Sequence, residues 1–550
     1  MLQETAQNLS ADAPAWPDAF RARYVSEGFW QAETFSGMLD RAAERHAGKT
    51  ALIEGERHVS YEEVRRRAGA LAAGLRRLGL EKGDRAVVQM PNGVAFAEVV
   101  FALLRLGVVP VLALPSHRNL EVGRFLDFTE AHAYFIADRA SGFDYRALAR
   151  ELLPNLPALR HVIVDGEADA FTPLSGLFED GSVEDAARPD DVAVFQISGG
   201  TTGVPKLIPR RHNEYLYNIR TAAAASGMGQ DAVYLCALPV AHNFPFACPG
   251  IMGTFISGGT VVIAPDPDPK TAFALIAAHG VTITSLVPPL ALLWMEAAGA
   301  TDANISSLRT LQVGGAKLSE EAARRVRPRL GCTLQQVFGM AEGLICYTGL
   351  DDDEETIVTT QGKPMSPADE IRVVHADGSD VAPGEAGELL TRGPYTIRGY
   401  YKIPEHNENA FTPDGFYRTG DIVRLTPSGH LVLSGREKDQ INRGGEKLSP
   451  EEVENLLLAH AGVHDAAVVG LPDETLGERT CAFVIAKTGG LKPLTLIRHL
   501  KARGLAAFKM PDQFVFIARF PETGIGKVSK KDLRERLKQL HLSAGLDNGA

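Results

Sequence analysis

The chain has 550 residues, a formal net charge of −11, 45% hydrophobic and 23% charged residues. That length exceeds one ordinary core and the composition is globular, which excludes a disordered chain, while the acidic balance argues against a nucleic-acid-binding surface. No stretch reaches the ~18–20 apolar residues of a membrane span, and the first twenty residues lack the basic start and apolar stretch of a secretory signal, so a cytoplasmic enzyme is expected. The five cysteines, Cys236, Cys248, Cys332, Cys346 and Cys481, are scattered without a C-x-x-C pair, which fits reduced thiols and no zinc site.

In chain order, helical periodicity predicts a helix over 61–78, and β-rich runs predict strands over 108–114, 161–164 and 191–197. Further strands are expected over 260–264, 283–287 and 310–313, then a helix over 320–329 and a strand over 334–337. This alternation implies α/β layers with largely parallel sheets. The Gly- and Pro-rich segment 384–401 and the turn at Pro413-Asp414-Gly415 point instead to a small β unit. A charged run at 435–440, ahead of the glycine pair Gly444-Gly445, marks a domain boundary: 1–436 as a large core domain, 437–550 as a small mobile α/β domain. Ser449-Pro450-Glu451-Glu452 carries a helix-start pattern of N-cap, first-turn proline and first-turn acids.

Between the expected strand 191–197 and the rest of the chain lies Ser198-Gly199-Gly200-Thr201-Thr202-Gly203-Val204-Pro205-Lys206. Glycines let backbone N–H groups approach an anion, hydroxyls add donors and the lysine adds a mobile positive charge, so the stretch reads as a phosphate cradle. A Walker A loop closes on Gly-Lys-Ser/Thr, whereas Val204-Pro205 separate Gly203 from Lys206 here. Farther on, Phe338-Gly339-Met340-Ala341-Glu342-Gly343 sets one acid at a glycine-rich strand end, where it can hold Mg²⁺ against phosphates. Asp421, in Thr419-Gly420-Asp421, can accept hydrogen bonds from ribose hydroxyls, with Arg436 as a further donor. Lys527, in a glycine-rich segment ahead of a basic helix over 530–538, can neutralise the charge that two reacting anions bring together.

The ordered set from Ser198 to Lys527 resembles the adenylate-forming superfamily, and the likeness spans almost the whole chain. The segments AHNFPFACPG (241–250), LVPPLALLW (286–294), LQVGGAKL (311–318), QQVFGMAEGLICYT (335–348), RGPYTIRGYY (392–401) and GREKDQINRGGEK (435–447) narrow it to the stand-alone aryl-acid adenylating enzymes of siderophore biosynthesis, the pyochelin-type salicylate–AMP ligases above all. That resemblance implies ATP and Mg²⁺ as cofactors and two half-reactions, acid adenylation with release of pyrophosphate, then transfer to the phosphopantetheine thiol of an aryl carrier protein. It implies Glu342 as magnesium ligand, Lys527 as catalytic lysine of the first half, and Lys438 as the hinge about which the small domain turns. It places the nucleotide on the loop 198–206, on Gly314, Gly315 and Ala316, and on Val337, Phe338, Gly339, Met340 and Ala341. Monomer and homodimer both remain open.

Asn243, Phe244 and Cys248 form an expected acid-pocket wall: phenylalanine can stack on a ring, and the amide offers donor and acceptor to an ortho-hydroxyl or carboxylate. The resemblance adds Gly315, Val337 and Ile345 to that wall and sets His242 as a gate beside the pantetheine tunnel. Cys248 stands where dihydroxybenzoate-activating enzymes typically have serine, and sulfur is a poor partner for a 3-hydroxyl. Salicylate is therefore expected over 2,3-dihydroxybenzoate; an aryl-CoA ligase is the other reading. The presence of Glu342, Asp421, Arg436 and Lys527 argues against a non-enzymatic scaffold.

Overall fold

A computed structural model describes residues 12–181, 183–198, 205–436, 439, 441–443, 446–448, 450–473, 477–487, 489–503, 505, 509–523 and 527–537. Its large N-terminal part holds two mainly parallel sheets. One has seven strands, in the order Leu207–Arg211, Val192–Ile197, Val109–Leu112, Arg85–Gln89, Ala133–Ala137, His161–Asp165 and Thr172–Pro173. The other has nine and centres on Thr333–Gly339, Thr310–Gly314, Ile283–Leu286, Val233–Cys236 and Thr260–Ile263, all mutually parallel. The expected strands are all present, and the sheets are parallel inside with antiparallel pairing at three of their four edges; the edge strand Thr172–Pro173 pairs in parallel.

Helix Val94–Leu106 lies between the two sheets, and twelve of its thirteen residues are buried. A helix apolar on every side has no solvent face, so its place is the middle layer. It packs in one core with Val88 and Leu112 of the first sheet and Leu52 and Val261 of the second. Its buried acid Glu98 is held by Arg57 and Arg67. The helix Tyr61–Arg77 begins where Ser60 accepts from the Glu63 N–H at 3.2 Å and carries acids in its first turn and arginines in its last, favourable at both ends of the dipole.

Strands Glu370–Val374, Gly387–Arg392, Tyr417–Leu425 and Leu431–Arg436 form the expected small antiparallel sheet. The stretch 393–401 leaves that sheet and runs back to the strand ends of the nine-stranded one, because the Ile397 N–H donates to the Glu342 carbonyl at 2.8 Å. The C-terminal part has its own sheet, with Val463–Asp473 paired to Gly477–Ala486, and two cores of its own. It touches the large part where His464 Nδ1 meets Glu296 Oε1 at 3.1 Å. The hinge candidate Lys438 and the expected N-cap Ser449 lie outside the described residues.

Candidate active site

Four of the expected pocket residues, Phe244, Cys248, Val337 and Ile345, fall in one buried cluster with Leu238, Val287 and Tyr347. They come together because parallel strands end at one level. Gly314 pairs with Val337, and Gly339 with Ile345 across the antiparallel turn. Space is short at the two central glycines: a Cβ on Gly314 would lie 2.8 Å from the Val337 carbonyl oxygen and 3.0 Å from Phe244 Cζ, and one on Gly339 would lie 3.1 Å from Ile345 Cγ1. Phe244 thus packs directly on the bare Gly314 backbone, and Cys248, Val337 and Ile345 complete the same apolar cluster.

Asn243 opens the short helix Asn243–Ala247 and is buried. Its amide is already engaged: Oδ1 accepts from Tyr215 Oη at 2.5 Å, and Nδ2 donates to Cys248 Sγ at 3.2 Å. Each end of the amide keeps capacity beyond these bonds, a second lone pair on Oδ1 and a second N–H on Nδ2. Burial pushes the Cys248 thiol up to about 12, so it stays protonated. His242 caps this helix by accepting the Phe244 N–H on Nδ1 at 3.2 Å. Its pKa falls to about 3, through burial first and the Lys527 charge second, so the imidazole is neutral at physiological pH.

Behind the wall, the Ile345 N–H donates to Tyr395 Oη at 3.2 Å, and Tyr395 donates to Asp369 Oδ2 at 2.5 Å. Burial raises the Asp369 carboxyl to about 7. Arg210, fully buried, pairs with Glu214 at 2.8 Å, donates to the Ala341 carbonyl at 2.8 Å, and lies 4.0 Å from the Tyr215 ring centre. One guanidinium thereby fixes both the acid wall and the loop that carries Glu342.

On the nucleotide side, Ser198 and Lys206 sit at the facing ends of the antiparallel pair Val192–Ile197 and Leu207–Arg211, joined by a 3.0 Å bond from the Ser198 N–H to the Lys206 carbonyl. Gly199, Gly200, Thr201, Thr202 and Gly203 lie outside the described residues. The Lys206 ammonium stands 5.9 Å from the Tyr400 ring centre, and Tyr400 Oη donates to Glu342 Oε1 at 2.8 Å. Tyr400 thus joins the cradle lysine to the acid. Asp421 pairs in backbone register with Arg436 across adjacent strands. Ala316 follows Gly315 at the end of strand Thr310–Gly314.

Lys527 arrives from the C-terminal part at this same strand end. A Cβ on Gly315, whose φ is +81°, would fall 2.7 Å from Lys527 Cε and 3.3 Å from Nζ. The lysine stem therefore lies on bare backbone between the acid pocket and the nucleotide face. A buried carboxylate with one oxygen held by a phenol, at the turn that follows a strand, fits Mg²⁺, which binds through one or two carboxylates together with substrate phosphates. Among the described residues, no group of three His, Cys, Asp or Glu side chains could hold a metal by itself.

Sequence reasoning missed Gln196, Arg210, Tyr215, Asp369, Tyr395 and Tyr400, which hold the named residues in place. The last two lie inside the segment RGPYTIRGYY, and Gln196 is a polar residue within an otherwise apolar strand. A buried polar side chain needs a partner, and that was the available signal.

The family model for AMP-binding enzymes matches residues 39–401, and that for the AMP-binding enzyme C-terminal domain matches residues 452–527. Pyochelin synthase PchD of Pseudomonas aeruginosa is 56% identical over 96% of this chain and 97% of its own. The 2,3-dihydroxybenzoate-AMP ligase of Bacillus subtilis is 55% identical over 95% of this chain and 97% of its own. The apo structure of Mycobacterium smegmatis MbtA superimposes with a TM-score of 0.75 at 44% identity, covering 96% of this chain and 99% of that one. With the strand ends, Glu342 and Lys527 assembled as above, the chain belongs to the AMP-binding, adenylate-forming family, in its branch of aryl-acid adenylating enzymes of siderophore biosynthesis.

Proposed function

We propose that this aryl-acid ligase activates salicylate in preference to 2,3-dihydroxybenzoate and passes the aryl group to the phosphopantetheine thiol of an aryl carrier protein. The observation that carries the choice of acid is Cys248, whose sulfur already takes the Asn243 N–H and offers a 3-hydroxyl only a weak partner. Burying an unpartnered hydroxyl costs ~1–3 kcal/mol, roughly tenfold to a hundredfold in affinity.

In the first half-reaction a carboxylate oxygen attacks the α-phosphorus of ATP, the bond to the β-phosphate oxygen breaks, and pyrophosphate leaves. Lys527, over Gly315, lies where the two anions meet and lowers their repulsion. Mg²⁺ held by Glu342 would supply charge neutralisation at the phosphate oxygens. Asp421 and Arg436 hold the ribose, and Ser198, Lys206 and the loop between them hold the phosphates. In the second half a thiol attacks the acyl carbon and AMP departs. The chain divides at 436/437, and rotation about Lys438 withdraws Lys527 between the halves. His242, whose imidazole is neutral, gates the thiol's approach.

Acid-dependent ATP–pyrophosphate exchange with salicylate, 2,3-dihydroxybenzoate, benzoate and a fatty acid tests this reading. Salicylate is expected to have the highest catalytic efficiency. A higher value for 2,3-dihydroxybenzoate overturns the role of Cys248, and exchange with the fatty acid alone overturns the aryl pocket. Thioester formation with free coenzyme A as fast as with a carrier domain would replace the carrier by coenzyme A.

A further inference from the structure

Behind Asn243 runs a chain of hydrogen bonds with one direction. Gln196 Nε2 donates to Tyr215 Oη at 3.2 Å, Tyr215 donates to Asn243 Oδ1 at 2.5 Å, and Asn243 Nδ2 donates to Cys248 Sγ at 3.2 Å. A phenol has a single proton, and the bond accepted from Gln196 leaves that proton for Asn243. All four side chains are buried, so water does not compete for them. An amide can turn over at little steric expense, because its oxygen and nitrogen are nearly the same size; only its partners choose.

We propose that Tyr215, backed by Gln196, is a specificity-determining positioning residue: it locks Asn243 with its amide NH₂ toward the acid pocket, so the site selects acids that carry a hydrogen-bond acceptor ortho to the carboxylate. The inference rests on the aryl-acid reading above and deepens it. One Asn243 N–H goes to the sulfur, and the second remains for the bound acid. The ortho oxygen of salicylate suits it, since its own proton is shared with the neighbouring carboxylate and its lone pairs stay available. The nitrogen of 2-aminobenzoate has its lone pair drawn into the ring and accepts poorly. Benzoate leaves the N–H unpaired. The Arg210 guanidinium lies over the Tyr215 ring, 4.0 Å from its centre, and helps hold it in place.

The test is Tyr215→Phe, which removes one oxygen and keeps the ring. Catalytic efficiencies for ATP–pyrophosphate exchange are measured on the full chain with salicylate, 2-aminobenzoate and benzoate. The ratios of salicylate to each other acid are expected to fall about tenfold, through a higher KM for salicylate with kcat kept and benzoate little changed. Unchanged ratios, or an equal loss for all three acids, would overturn the proposal, since a purely structural role lowers every substrate alike. Gln196→Leu leaves the phenol but removes its donor and should move the same ratios the same way, by about threefold; if Tyr215→Phe does not fold, that variant decides. Exchange with none of the three acids by the unaltered enzyme sinks the aryl-acid reading itself, an outcome separate from an unaltered enzyme that selects and a variant that selects equally well.

Discussion

The acid pocket and the nucleotide face share the strand end Gly314-Gly315 and are built by opposite means. The pocket comes from one part of the chain: Asn243, Cys248, Val337 and Ile345 are buried, and partners behind them fix their positions. The nucleotide face is gathered from Ser198, Lys206, Glu342, Asp421 and a lysine delivered by the C-terminal part, which docks through contacts such as the partly exposed pair His464–Glu296. A selective surface gains from rigidity, because discrimination depends on groups that cannot rearrange to suit a wrong acid. A surface that serves two reactions, as proposed for this one, would gain from a group that can be removed.

The difference can be broken at its most movable point. Lys527→Ala should lower acid-dependent pyrophosphate exchange on the order of 10³-fold while sparing most thiolation of a supplied adenylate; equal loss in both assays would place the lysine in neither role. Gly315→Ala puts a methyl 2.7 Å from Lys527 Cε at a backbone φ of +81°. Exchange should fall about tenfold or more, thiolation less, because the backbone strain bears on both halves and the displaced lysine on the first alone. A substitution that stays within the rigid pocket sharpens the contrast. Cys248→Ser should raise the efficiency of 2,3-dihydroxybenzoate relative to salicylate about tenfold and leave the ratio of the two half-reactions unchanged.

The smallest effect concerns stability. Asp369 has a folded pKa of about 7, above its unfolded value, so from about pH 4 to 7 the folded state binds the extra proton. Stability from this group is therefore present at low pH and is lost as pH rises through 7. Between about pH 5 and pH 8 the loss is a few kcal/mol at most, and Asp369→Asn should remove it. The melting temperatures of the two proteins at those pH values check this: the variant should show the smaller drop, by a few degrees. An equal drop in both would mean that Asp369 is ionised throughout.

The reacting groups were legible in the sequence because phosphate binding, metal binding and charge neutralisation demand particular residue types in glycine-rich turns. Glu342 and Lys527 stand out for that reason even though 185 positions separate them. The parallel strands were legible because a strand buried on both faces is apolar throughout. The supporting residues were not, because a tyrosine in a helix reads as packing whichever way its hydroxyl points. That Tyr215 faces Asn243, that Tyr395 holds the Ile345 N–H, and that Arg210 reaches the Ala341 carbonyl follow from contacts between residues 28 to 131 positions apart. By itself the sequence determined the chemistry, through local residue type. Only the tertiary structure decided which partner each end of the Asn243 amide takes, since hydrogen-bond direction is set by neighbours in space and not by neighbours in the chain.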